Sequence, residues 1–284
     1  HEVENISLHD LTVQLSTVLD YAKEKFTDGT YDPKPLRRIH VNFMARGEPL
    51  IAFYRDSNLR ERFVDAIDAV VAMWYNDRTI NSVIEKPKVK IKISTIMPSK
   101  IRKFQELQSL VSNDPVMSYR GLINYLLNFR EVELYVSLYS INDEFRKRWL
   151  PKALSPSDIG RVLAGRLSNV VLHHALIDDG VTTNATQKDA RDIVNFLRTN
   201  QMVVDVNIVR YNPFDAHCGK EVPEEIIEQY ADWLRSSFMS DTTKRFFEGR
   251  NSSFYRPIEE VKIIPRVGSD VKASCGMFVD RKGG

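Results

Sequence analysis

The chain has 284 residues, 43% of them hydrophobic, with 40 Lys and Arg against 38 Asp and Glu for a formal charge of +2. That length buries a sizeable core in one domain, and the near balance of charge excludes no class of partner, because a basic stripe can hide in a near-neutral total. Two cysteines, Cys218 and Cys275, are too few for a disulfide framework, and no apolar run approaches the ~18 residues of a membrane span, so a reducing, cytoplasmic, membrane-free setting is expected.

Along the chain, Leu8, Leu11, Leu15, Val18, Leu19, Ala22 and Phe26 recur at helical spacing, with Ser7 and Asp10 placed as an N-terminal cap. "RRIHVNFM" (37–44) then predicts a strand, "LRERFVDAIDAVVAMWYN" (59–76) a helix and "KVKIKIST" (88–95) a second strand. The rhythm continues with a helical region from about Ser99 to Phe129, a strand at 132–138, a helix at 155–167 and a strand at 169–177. A helix at 186–200, a strand at 202–211 and a helix at 223–238 follow. After about Ser240 the pattern is less regular, ending in a strand-like "VKIIPR" and a polar tail. Strands alternating with helices imply an α/β fold with a parallel sheet, open or closed as a barrel, and ligands at the carboxyl ends of the strands.

Those strand ends carry the chemistry-bearing residues. After the first strand comes "ARGEPL", in which Gly47 permits a tight turn, Glu48 offers a carboxylate suited to an ammonium group, and Pro49 fixes the exit. Ser94 and Thr95 end the next strand, Ser137, Leu138 and Tyr139 the third, and Asn212 follows "VNIVRY"; hydroxyls and Asn-Pro pairs at such places also serve as caps and turns. His173 and His174 are consecutive in a strand, so they face opposite ways and do not chelate together, and the other histidines lack zinc-site spacing. Glycine-rich phosphate loops of the dinucleotide or P-loop type are absent.

In order and approximate spacing, "FMARGEPL", "ISTIMP", "VSLYSINDEFRKRWLP", "LIDDGVTT" followed by "DARDIVNFL", "VNIVRYNPF" and "GSDVKASCG" resemble the RlmN/Cfr group of radical S-adenosylmethionine (SAM) RNA methyltransferases. The resemblance runs from about Asn5 to Met277. It implies an incomplete (β/α)6 barrel of the radical SAM type, forming a single domain over 1–284 with a C-terminal extension from about 240. It also implies SAM contacts at Gly47, Glu48, Ser94, Ser137, Leu138, Tyr139 and Asn212, and a methyl-carrying thiol at Cys275. The activity implied is methylation of an adenine of ribosomal or transfer RNA at carbon 2 or carbon 8, through a methyl-cysteine. The expected partners are the RNA and a reductant such as flavodoxin, and the expected state is a monomer.

The departures bear on substrate and cofactor. Ala45 and Arg46 precede Gly47 where the family has Gly-Met; Tyr139 replaces a histidine; Thr182 and Thr183 replace Asn-Asp; and the connection before the third strand of this chain is longer than the family's. The family binds a four-iron four-sulfur cluster through a Cys-x3-Cys-x2-Cys loop, and Cys218 and Cys275 cannot supply three thiolates. The expectation is therefore a truncated chain, lacking the first barrel strand and its loop, with the cluster ligands lying outside it. The rival is a degenerate, non-catalytic SAM- or RNA-binding module. Arg46, Arg210 and Arg266, near the barrel mouth, are candidates to meet phosphates, although charges at such places are more often simply solvated.

Overall fold

In the computed structural model, which describes residues 6–32, 37–44, 48–99, 115–211, 219–236 and 257–265, strands and helices alternate as the sequence predicts. The elements in chain order are α1 (Leu8–Thr27), β1 (Arg38–Phe43), α2 (Pro49–Arg55), α3 (Ser57–Tyr75), α4 (Arg78–Asn81), β2 (Lys88–Thr95), α5 (Pro115–Leu126) and β3 (Val132–Ser137). There follow α6 (Asp143–Trp149), α7 (Pro156–Leu163), β4 (Val170–Ala175), β5 (Ile177–Asp178), α8 (Gln187–Thr199), β6 (Val204–Val209), β7 (Lys220–Glu221), α9 (Glu224–Ser236) and β8 (Ile258–Ile263). Among the described residues a six-stranded sheet has the order β1-β2-β3-β4-β6-β8, with parallel pairing of β1 to β2, β3 to β4, β4 to β6 and β6 to β8. The fold class is α/β, as expected. Strands β5 and β7 form a short antiparallel ribbon.

The described residues divide into two compact units, the first within His1–Ser94 and Gly121–Glu133, the second within Thr95–Lys100, Ser112–Arg120 and Leu134–Gly284. In the first, α1 starts at a capping box in which the Ser7 hydroxyl accepts from the Asp10 amide and the Asp10 carboxylate accepts from the Ser7 amide. Leu11, Leu15 and Leu19 form its buried stripe and α1 packs on α3, where the Trp74 indole N–H donates to the Leu19 carbonyl at 2.9 Å. Val18, expected on that stripe, is 64% exposed, because the buried positions recur every four residues and leave it on the flank. Strand β1 alternates Ile39 and Phe43 under the helices with Arg38, His40 and Asn42 exposed on the other face. Phe43, Phe53, Phe63 and Phe129 pack as a chain of tilted and edge-on rings with Phe63 at its centre, 4.8 Å from Phe53, 6.0 Å from Phe43 and 5.9 Å from Phe129.

In the second unit, β4 and β6 bury Val170, Leu172, His174, Val204, Val206 and Ile208. Helix α9 packs on α8 and β8 and contributes buried Ile227, Tyr230, Ala231 and Leu234. Three short helices, α2, α4 and α6, go beyond the sequence reading. Pro49, expected to end a turn, occupies the first position of α2, where its missing N–H costs nothing. Asn142 caps α6, whose seven residues are too few for a periodic signal. The helix expected from Ser99 begins among the described residues only at Pro115: Pro98 bridges Ala153 and the Ser99 amide donates to the Lys152 carbonyl at 2.7 Å, so the chain there is extended.

Because Phe63 is fully buried with aromatic rings on three sides, Phe63→Ala should lower the stability of the chain by about 3–5 kcal/mol. Urea denaturation followed by circular dichroism measures it.

Candidate functional site

The first unit places Glu48 and Ser94 beyond and at the carboxyl ends of the parallel neighbours β1 and β2. Glu48 is the N-cap of α2: it has an extended backbone, is half-buried, and its Oε1 accepts from the Leu50 amide at 3.3 Å. Ser94 is half-buried, and its hydroxyl has no hydrogen bond to another described residue.

In the second unit, Ser137 ends β3, followed by Leu138, which is fully buried, and Tyr139, which is half-buried. The Ser137 hydroxyl likewise has no partner among the described residues. The register aligns Ser137 with His173 on β4, His173 with Asn207 on β6, and Asn207 with Lys262 on β8, so four polar side chains form one row across four strands. The Asn207 amide lies 3.5 Å from His173 Nε2, and the Tyr135 ring meets the imidazole edge-on at 4.8 Å between centroids. Asn207 and Lys262 were missed in the sequence, where each looks like the solvated face of an ordinary strand; only the register joins them to Ser137. Gly47, Asn212 and Cys275 lie outside the described residues, as do Cys218, Arg46 and Arg266.

Two buried side chains hold the β3 and β4 ends in place. Asn184, fully buried, donates to the Tyr139 carbonyl at 2.6 Å and the Ala175 carbonyl at 2.8 Å, and accepts from the Ile177 amide at 2.8 Å. Arg146, 3% exposed, donates to the carbonyls of Ser137, Leu138 and Leu154. Burial lowers its pKa to about 10 against the opposing pull of Asp143, so it remains a cation at neutral pH. Tyr139 sits at φ +59°, the left-handed region that non-glycine residues rarely adopt, so the Asn184 bond to its carbonyl braces a strained position.

The turn at "DDGVTT" is held by its own bonds. The Asp179 carboxylate accepts from the Val181 and Thr182 amides at 2.9 and 2.7 Å and meets Arg148 at 2.7 Å. Its pKa is lowered, first by the Thr182 amide. Gly180, at φ +78°, supplies the conformation this turn requires. Thr182, one of the two departures here, therefore has a structural role, since its hydroxyl also reaches Asp179 at 3.3 Å. Arg210, expected to meet phosphate, is committed instead: its two terminal nitrogens fork onto Glu224 at 2.6 and 2.7 Å and its Nε donates to the Ile264 carbonyl.

Among the described residues no three His, Cys, Asp or Glu side chains gather as metal ligands, and no helix is long and apolar enough to cross a membrane. A groove of about 260 Å³ between α1 and α3, lined by Leu19, Lys23, Met73, Trp74 and Asp77 among others, lies on helices away from any strand end.

No family model and no curated protein matches this sequence. A radical SAM methyltransferase from Sphaerobacter thermophilus superposes with a TM-score of 0.52 at 18% identity, over 97% of this chain and 62% of its own. The two proteins share a fold. The chain thus spans somewhat under two thirds of the length of that protein. A domain of pyruvate-formate lyase-activating enzyme from Bacteroides vulgatus ATCC 8482 is more distant, with a TM-score of 0.37 at 18% identity over 69% of this chain and 93% of its own.

Opposite His173 on the same strand, His174 is buried under α9, stacked on Tyr230 at 5.2 Å with the phenol 3.1 Å from its Nε2. Burial first, then the Arg146 cation, lowers its pKa from 6.5 to about 3. Native His174 stays neutral while the unfolded chain takes up a proton below pH 6.5, so stability should fall as pH drops from 6.5 toward 3, by up to about 1.4 kcal/mol per unit. His174→Gln should flatten that slope between pH 6.5 and 5, above the range where carboxylates titrate, and urea midpoints across that window measure it.

Proposed function

We propose that this chain is a SAM-dependent methyltransferase of the radical SAM type, acting on an adenine of ribosomal or transfer RNA, with Cys275 as the residue that accepts the methyl group. The observation that carries the reading is the placement of Glu48 and Ser94 in the first unit. Each lies at or just beyond the carboxyl end of a parallel strand, half-buried, in a fold that superposes on that of a radical SAM methyltransferase.

The donor set fits SAM. The Glu48 carboxylate holds an amide through a long bond of 3.3 Å, and an ammonium group beside it would make a shorter, charge-assisted one. The hydroxyls of Ser94 and Ser137, without partners among the described residues, can donate to a carboxylate or accept from ribose hydroxyls. In the second unit Tyr139 packs against Phe145, Ala175 and Ile177, and Asn184 holds its carbonyl. When bound, SAM would supply an electrophilic methyl group. The Cys275 thiol loses its proton to solvent, and its sulfur bonds the methyl carbon as the bond from that carbon to the sulfonium breaks, releasing S-adenosylhomocysteine.

The iron-sulfur cluster that the resemblance implies does not fit this chain. It needs three thiolates, and the sequence holds Cys218 and Cys275 alone. The second reading is a SAM- or RNA-binding module without catalysis.

Incubation with SAM carrying an isotope-labelled methyl group, followed by peptide mass spectrometry, separates the two. The methyltransferase reading expects the label on Cys275, its loss in Cys275→Ala and its retention in Cys218→Ala. Label on Cys218 alone, or on neither cysteine, would overturn Cys275 as the acceptor and leave the binding module.

A further inference from the structure

We infer that the open face of β1 and β2 is a docking surface for the phosphate backbone of an RNA strand, gripped by Arg38, Lys88, Lys90 and Lys92 around His40. The inference rests on the proposed function for RNA rather than DNA; its electrostatic part does not.

Alternation puts these residues together. Arg38, His40 and Asn42 take every second position of β1, Lys88, Lys90 and Lys92 every second position of β2, and the parallel register pairs Arg38 with Lys88, His40 with Lys90 and Asn42 with Lys92. Ile39, Phe43, Ile91 and Ile93 are buried, which turns the cationic set to the other face. Arg38, His40 and Lys88 are exposed and Lys90 and Lys92 half-buried. Glu133 meets Lys90 at 2.7 Å and offsets one charge. Burial first, and then Lys92, Arg38 and Lys90, lower the pKa of His40, with Glu133 opposing.

Adjacent like charges such as Arg38 and Lys88 repel, and a polyanion across them turns that repulsion into attraction. The alternate positions of a strand are about 6.6–6.8 Å apart, so the two strands present a ladder of cations to a repeating anion. Asn42 and the His40 ring add a hydrogen-bonding amide and a stacking surface of the kinds that read unpaired bases. Within β1 and β2 the side chains on this face are polar, and Met44 just beyond β1 is the one exposed apolar neighbour among the described residues of that alternating set, which favours a polyanion over an anionic membrane as the occupant. With Arg210 committed to Glu224, these strand cations take the role the sequence suggested for that arginine.

The test is the salt dependence of binding of a fluorescent single-stranded RNA oligonucleotide to the whole chain, without SAM, by anisotropy. In the double variant Arg38→Gln/Lys88→Gln the slope of log K against log salt should shrink by about 1.4, at ~0.7 per cation removed. The charge-conserving Arg38→Lys/Lys88→Arg should bind as the parent does, which separates charge from folding, and Lys147→Gln/Lys152→Gln, on and beyond α6, should leave slope and affinity unchanged. An unchanged slope in the first variant would overturn the inference, as would no RNA binding by the parent chain, or a loss confined to binding of phosphatidylserine vesicles. Each of those results leaves methyl transfer to Cys275 standing, because that is read without RNA; conversely, RNA binding with no label on Cys275 retires the methyltransferase reading and keeps the surface.

Discussion

The rest of the structure depends on the alternation of side chains along parallel strands, one face covered by helices and the other left to chemistry. His173 and His174 show it in two consecutive residues. His174 goes under α9, loses solvent, stacks on Tyr230 and is held neutral by burial. His173 takes the other face, half-buried, in register with Ser137 and Asn207 and in contact with Tyr135. The same division on β1 and β2 buries Ile39, Phe43, Ile91 and Ile93 and turns Arg38, His40, Lys88, Lys90 and Lys92 outward.

A face left open for ligands must not collapse where its strands end, and there the backbone has carbonyls with no sheet partner. In the second unit Arg146 and Asn184 take up the carbonyls of Ser137, Leu138, Tyr139, Ala175 and Leu154 from below. A buried guanidinium is expensive to desolvate. Bonds to three carbonyls offset part of that cost, and the same bonds hold the Ser137–Tyr139 turn in one conformation, which is the preorganisation a binding site needs.

Much of this was legible in the sequence because period and spacing record burial. "KVKIKIST" gave β2 its bounds, Ser7 and Asp10 marked the start of α1, and the consecutive histidines announced their opposite faces. What was not legible depends on partners distant in sequence. Nothing near Arg210 predicts that Glu224 captures it, and nothing near Asn207 predicts that it stands beside His173. Short helices such as α2 and α6 lie below the length at which a period shows, and Pro49 reads equally well as the end of a turn or the first residue of a helix. The strand-like "VKIIPR" showed extended backbone, but its place beside β6 came from pairing alone.

The central claim is that polar residues at the strand ends bind SAM, with Glu48 on its ammonium group. Calorimetric titration of SAM into the chain and into Glu48→Ala tests it most directly. A carboxylate lost from beside a partly desolvated ammonium costs ~2–3 kcal/mol, so the variant should bind roughly 30- to 160-fold more weakly, with a smaller loss of thermal stability from the missing cap of α2. Equal affinity in the two proteins, or no binding by the parent chain, would contradict the account.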